Sequence, residues 1–362
     1  MPDSLGGIGM KEQGDYWISS QTPAPEVRAS VVIPTFGAED TLVRAAESAL
    51  SQSLRDIEVI IVDDASPDQS WPLIVGLMER DKRVRAVRNR INRGKSISMN
   101  RAVSVARGRW LAVLDADDWY HPDRLEVLIN AAERRPVEMV ADNQMLYDAR
   151  ANQMVGSAWP QGNSSWELDF DDFLLGSNAY ENFNLGMLKP IIRLDFMRKT
   201  GLGYEASART GEDFFHLLQF YMSGGRALLC DTPYYYYTQP YGTISHEWSH
   251  DERTRYDFHN AYEINRRYLE DSRHLMTPRQ RRRLLARNRG LKVLESYFQA
   301  KEAAEEKRWL DVPLTLARQP GSLLHIARRL RDRLTDTPTS PTIPRIAARA
   351  RRRDRASQEN DA

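Results

Sequence analysis

A chain of 362 residues, 41% of them hydrophobic, is long enough to bury one large α/β core and a smaller appendage. Lys and Arg number 51 against 50 Asp and Glu, so net charge selects no polyanionic partner, and nucleic acid, which would rest on a basic C-terminal stretch alone, is not expected. The single cysteine, Cys230, excludes an internal disulfide and a cysteine-built zinc site, and reads as a small buried residue in a reducing compartment.

Residues 1–27, rich in Gly, Pro, Ser and Gln without sustained periodicity, predict a flexible leader. They lack the basic start, apolar core and small-residue cleavage site of a signal peptide, and no apolar run approaches the ~20 residues of a spanning helix, so a cytoplasmic location is expected. From Arg28 the order is strand 29–34, helix 39–52, strand 57–63, helix 68–80, strand 83–88, helix 95–107 and strand 109–115. Glu39-Asp40-Thr41 places acid at the start of the first helix, and Pro67-Asp68 punctuates the start of the second. Alternating β and α with short links predicts a doubly wound, mainly parallel sheet flanked by helices.

Beyond Asp118 the regularity loosens. A helix from His121 to about Arg135 precedes a strand over 139–147, a Gly/Asn/Ser loop to about Ser165, and an apolar segment at Ile191-Ile192. A helix over 212–223 and a short strand over 227–230 follow. From about Glu252 the chain reads as charged helices, with further ones at 277–305 and 312–334. The last stretch carries Pro338, Pro341 and Pro344 and then dense arginine from Arg345 to Arg355. It predicts a disordered basic tail. The expected division is a leader at 1–27, a main domain at 28–250, a helical C-terminal region at 251–334 and the tail at 335–362.

The chemistry concentrates where apolar strands break into polar residues. Leu111-Ala112-Val113-Leu114 runs into Asp115-Ala116-Asp117-Asp118, three carboxylates within four residues. A parallel strand ending this way delivers carboxylates into a ligand crevice, where one can reach Mg²⁺ or Mn²⁺ and another can accept sugar or ribose hydroxyls. In isolation such a cluster is more often a solvated acidic turn; two further strand ends reverse those odds. Asp63-Asp64 closes one strand and suits ribose or a base N–H, or an ordinary turn, while Pro34-Thr35 closes another with the same double reading. Lys95, after Asn92-Arg93-Gly94, can set a cation against phosphate, although a lysine there is commonly just a surface residue.

Glu212-Asp213 opens an apolar helix, where a carboxylate serves either as a cap or as a general base. The tyrosines 234–237 and Trp248 offer sugar-stacking faces, though strand core and rim is the weightier reading for the tyrosines. His246 and His250, four residues apart, are minor metal candidates because no HExxH pattern accompanies them.

In this order the motifs Val-Val-Ile-Pro-Thr-Phe, Ile-Ile-Val-Asp-Asp-Ala-Ser, Asn-Arg-Gly-Lys, Gly108-Arg109-Trp110 with Leu-Asp-Ala-Asp-Asp, and Gly211-Glu212-Asp213-Phe214 resemble family 2 glycosyltransferases of the GT-A fold. The resemblance spans roughly residues 28–250. It implies an inverting transferase using a nucleotide-diphosphate sugar, a UDP-hexose as the first expectation. Pro34, Thr35, Glu39, Asp63, Asp64, Lys95, Asp115 and Ala116 would line the donor pocket. Asp117 would be the main ligand of a divalent cation, Mn or Mg, with Asp115 and, at lower weight, His246 assisting, and Asp213 would be the base. Leu188-Lys189-Pro190-Ile191-Ile192-Arg193 and Ile244-Ser245-His246 are most similar to bacterial exopolysaccharide enzymes of the succinoglycan type. For those the acceptor would be a saccharide or lipid-linked oligosaccharide at the inner face of the plasma membrane.

The arginine-rich tail offers peripheral contact with anionic lipid, weighed slightly below a simple solubilising end. No Gln-x-x-Arg-Trp motif occurs, so a processive synthase is a poor fit. The strand-one loop Thr35-Phe36-Gly37-Ala38-Glu39 lacks the glycine fingerprint of a dinucleotide-binding enzyme. The alternative outside catalysis is a nucleotide-sugar or polysaccharide-binding regulatory subunit, disfavoured because a binding module has no use for Asp213 as a base.

Overall fold

The computed structural model describes residues 10–19, 26–179, 183–239, 257–324, 326–327 and 342–360. The chain forms two compact units, one of Met1–Glu167, Leu188–Ala206 and Phe215–Arg255, the other of Leu168–Met187, Ser207–Phe214 and Tyr256–Ala362.

The first unit is built on one mixed sheet. Its strands are β1 (Met10–Gln13), β2 (Tyr16–Ser19), β3 (Ala29–Thr35), β4 (Ile57–Asp63), β5 (Val84–Asn89), β6 (Trp110–Val113), β7 (Trp119–Tyr120), β8 (Met139–Asp148), β9 (Gln153–Ser157), β10 (Ser165–Leu168), β11 (Ile191–Arg193) and β12 (Ala227–Gln239). They lie in the order β1-β2-β5-β4-β3-β6-β11-β8-β12-β10, with β7 on β12 and β9 on β8. Helices α1 (Leu42–Leu50), α2 (Ser70–Arg80), α3 (Lys95–Val105), α4 (Arg124–Glu133) and α6 (Leu194–Thr200) are interleaved with the strands. All seven residues of β4 are buried, as a near-continuous apolar run requires when helices cover both faces.

Register sets the site. β3 pairs in parallel with β4 from Ala29↔Ile57 to Thr35↔Asp63, and on its other side with β6 from Ala29↔Trp110 to Val32↔Val113. The winding therefore reverses at β3, and in open α/β sheets ligands bind in the crevice outside the strand ends at such a switch point. Gly108 admits β6 to this position, since a Cβ there would fall 2.4 Å from the Ser30 nitrogen. Near the opposite ends of the strands, buried Glu58 takes hydrogen bonds from Arg85 at 2.7 Å, Ser30 at 2.6 Å and the Arg107 amide at 2.7 Å. Cys230 is buried and free, with its thiol pushed up to about 12 by burial.

Several expectations are corrected. The flexible leader contains a hairpin: β1 and β2 meet at Gln13↔Tyr16 around Gly14-Asp15, with Gly14 at φ +65°, and β2 pairs with β5. A Gly-Asp two-residue turn is a hairpin signal that low complexity concealed. Strand β9 occupies part of the expected 148–165 loop, and the short strand at 227–230 runs on to Gln239 because ten of its residues pair in parallel with β8.

The second unit contains α5 (Phe170–Gly176), a 3₁₀ turn at Leu185–Met187, the first residues of α7 (Glu212–Met222), and α8 (Phe258–Asp271), α9 (Pro278–Glu305), α10 (Asp311–Arg318) and α11 (Thr342–Asn360). Thr277 and Gln280 form a reciprocal capping box at the start of α9. The helix expected over 312–334 breaks after Arg318 at Gln319-Pro320. The tail expected to be disordered contains α11 instead. Ile343, Ile346, Ala347 and Ala350, an i, i+3, i+4, i+7 stripe hidden among arginines, are buried there. The division also differs from a cut at residue 250, because 168–187 and 207–214 belong with the C-terminal helices.

Candidate active site

Three strand ends supply the residues singled out by sequence. Thr35, at the end of β3, is buried, and its hydroxyl donates to the Ile33 carbonyl at 3.3 Å; Pro34 beside it is half-buried. Asp63, at the end of β4, is buried, caps the Ser66 amide at 3.1 Å and meets Arg88 at 3.1 Å; burial pushes its carboxyl up. Asp64 accepts from Asn89 Nδ2 at 2.6 Å and from the amides of Arg93 at 2.8 Å and Gly94 at 2.7 Å. It thus ties the β4 end to the loop that starts α3, where Gly94 adopts φ +88°. Glu39 accepts from the Gln69 amide at 2.8 Å, just before α2.

The carboxylates after β6 are held in three different ways. Asp115 is clamped between Lys95 Nζ at 2.9 Å and Lys189 Nζ at 2.6 Å. Burial works to raise its carboxyl, but the two ammoniums outweigh it and hold it well below the usual range. Asp118 accepts from Tyr235 Oη at 2.6 Å and from the Thr238 amide at 2.8 Å. It is a buried anchor for β12, whereas a turn residue beside a helix would stand idle; burial, then Asp117 and Asp115, push its carboxyl well up.

Asp117 differs from both neighbours. Its backbone carbonyl is gripped by Arg44 at 2.6 Å and Thr238 Oγ1 at 2.5 Å, with the Arg44 guanidinium stacked 4.1 Å from the Trp119 centroid. The backbone is fixed while the side chain is half-buried, without the lysine clamp of Asp115 or the full burial of Asp118. Burial, followed by the charge of Asp115, raises its carboxyl; a bound cation would act in the opposite direction. Oxygens of Asp115, Asp117 and Asp118 lie within 4.8 Å of one another. An all-oxygen donor set of this kind suits a hard divalent ion, with Asp117 as the accessible ligand. Ala116, between them, is buried.

Arg44 was not singled out by sequence, Lys189 entered only within the 188–193 motif, and Tyr235 only as one of the tyrosines offered for stacking. A lysine set between Leu188 and Pro190-Ile191-Ile192 is itself a signal, since a buried ammonium requires an anion. Lys189 is buried just before β11, and its carbonyl accepts from Arg124 Nη2 at 2.6 Å, which in turn pairs with buried Asp142 at 2.8 Å. Tyr235 is the buried member of the tyrosine run, while Tyr236 stacks on Trp119 with centroids 5.1 Å apart.

Asp213 lies in the second unit, half-buried in the first turn of α7, whose later turns belong to the first unit. His246, Trp248 and His250 lie outside the described residues. Among the described residues no helix is long and apolar enough to cross a membrane.

Comparison with known proteins bears on this geometry. Residues 30–183 match the profile of Glycosyl transferase family 2. The succinoglycan biosynthesis protein ExoO of Rhizobium meliloti is 30% identical over 349 residues, 91% of this chain and 94% of that protein. WfaP of Escherichia coli, a UDP-Glc:alpha-D-GlcNAc-diphosphoundecaprenol beta-1,3-glucosyltransferase, is 34% identical over 108 residues, 30% of this chain and 42% of WfaP. Residues 1–349 of TarS from S. aureus superpose with a TM-score of 0.50 at 18% identity, covering 67% of this chain and 66% of TarS. That likeness concerns the fold. With the switch-point crevice and its aspartates, these matches make the chain a member of glycosyltransferase family 2 with the GT-A fold.

Proposed function

We propose that the protein moves one sugar, with inversion, from a nucleotide-diphosphate donor, a UDP-hexose, to a saccharide acceptor carried on lipid, in bacterial exopolysaccharide assembly. The observation that carries this reading is the set of strand ends at the switch point, with Asp117 left accessible on a fixed backbone. The near full-length likeness to ExoO supports the exopolysaccharide setting, and the acceptor in the name of WfaP supports a lipid carrier.

Asp117, backed by Asp115, would hold Mg²⁺ or Mn²⁺. The ion would neutralise charge on the departing diphosphate. Pro34, Thr35, Glu39, Asp63, Asp64, Lys95 and Ala116 would bound the nucleotide side. Asp213 takes the proton of the acceptor hydroxyl as its oxygen bonds to the anomeric carbon. The carbon–oxygen bond to the diphosphate breaks on the opposite face, so the nucleoside diphosphate leaves with the bonding pair and Asp213 ends protonated. The site would act from the cytoplasm.

Two substitutions test the division of roles. Asp213→Asn is expected to abolish transfer while leaving UDP affinity within about twofold. Asp117→Ala is expected to weaken Mn²⁺-dependent UDP binding by about tenfold or more. Equal loss of UDP affinity in both variants, read by titration calorimetry, would sink the assignment.

A further inference from the structure

The residue after the proposed base is held from three sides within the second unit. The Phe214 ring stacks on Phe173, with centroids 5.6 Å apart and planes 15° from parallel. On the 3₁₀ turn, a Cβ on Gly186 would lie 3.1 Å from the Phe214 Cβ, a tight approach that brings this backbone against the ring. From α9, the Arg287 guanidinium sits 3.7 Å from the centroid of the same ring. Arg287 Nη1 also donates to the Ser177 carbonyl at 2.5 Å, just past the end of α5, where a cation suits the helix C-terminus.

A leucine or methionine could cover an aromatic face at less cost than an enclosed guanidinium. Burial pulls the Arg287 group down. Its Nε is buried without a hydrogen-bond partner. What arginine adds over an apolar side chain is geometry, since one planar group stacks on Phe214 and reaches a carbonyl on another element at the same time.

We propose that Arg287 is a positioning residue for Asp213. Through Phe214 it fixes the first turn of α7, so the C-terminal helices take part in aligning the base. The inference rests on Asp213 being that base.

The test uses the full chain with Mn²⁺, measuring UDP release from UDP-glucose, UDP-galactose and UDP-GlcNAc with a bacterial lipid extract as acceptor source, and amide exchange at residues 212–214. Arg287→Met is expected to lower kcat per folded molecule by about tenfold and to speed exchange at 212–214, with the Kd for UDP unchanged. Arg287→Lys, which keeps charge but loses the planar stack, should recover only part of the rate; Phe214→Leu should reproduce the exchange effect.

A wild-type kcat in Arg287→Met or unchanged exchange at 212–214 would each overturn the proposal. A wild-type rate in Asp213→Asn would instead remove the base assignment, and the exchange measurement would then judge the clamp by itself.

Discussion

The chain contains the spacing Asp-x-Asp-Asp twice, at Asp115-Ala116-Asp117-Asp118 and at Asp169-Phe170-Asp171-Asp172, and the two copies meet different fates. In the second, Asp169 caps α5 through the Asp172 amide at 2.7 Å and pairs with Arg353 at 2.6 Å. Asp171 pairs with Arg283 at 3.0 Å and Arg279 at 3.4 Å, and buried Asp172 pairs with Arg349. Each carboxylate there faces an arginine of the C-terminal helices.

The first copy follows a parallel strand at the switch point. Lysines take Asp115, β12 takes Asp118, and Asp117 stays accessible. The pattern alone is no address for a cation. A strand end that fixes the backbone and leaves one carboxylate for a ligand is what would make it one.

The comparison can be broken most severely at Asp117. Asp117→Asn is expected to lower transfer by about a hundredfold or more, whereas Asp171→Asn should leave kcat within about twofold. Similar losses in both would mean that the second cluster shares in the chemistry. Lys189→Met comes next. With one cation gone, Asp115 loses its fixed geometry, and UDP affinity should fall by about tenfold; unchanged affinity would make Lys189 a packing residue only.

A smaller effect is expected at Asp172. Asp172→Asn should destabilise the protein by about 1–2 kcal/mol in urea, discounted because Arg349 is partly exposed, with UDP affinity unaltered. The smallest concerns salt. Raising NaCl from about 0.05 to 0.5 M should quicken amide exchange in 342–360 and leave 111–118 unchanged, because the tail pairs with Asp169 are exposed and screened while the Lys189 pair is buried. Equal response in both segments would contradict that contrast.

Most of the strand-end architecture was legible because it is written in local patterns. Apolar runs at 31–33, 59–62 and 111–114 end in polar residues, and their alternation with helices leaves little choice of topology. Long-range partners were not legible. Nothing local in Lys189 says which carboxylate it will meet, and its contact with Asp115 depends on β11 inserting antiparallel between β6 and β8. The Asp118 anchor depends likewise on β12, more than a hundred residues later. In the tail, arginine density suggested a solvated segment while the small apolar stripe Ile343, Ile346, Ala347 and Ala350 supplied a buried face. Composition and periodicity disagreed there, and packing followed periodicity.

The hairpin before β3 has a consequence for how this sheet meets other chains. A row of unpaired amides and carbonyls along a strand is a template that any extended peptide can copy. Without β1 and β2 that row would be β5, whose Val84, Ala86 and Val87 are apolar. Among the described residues, the outermost strand on this side is only four residues long and reads Met-Lys-Glu-Gln, with three of the four exposed. A short charged border of this kind gives a neighbouring molecule little to extend, so the hairpin serves the sheet as a selvedge serves cloth.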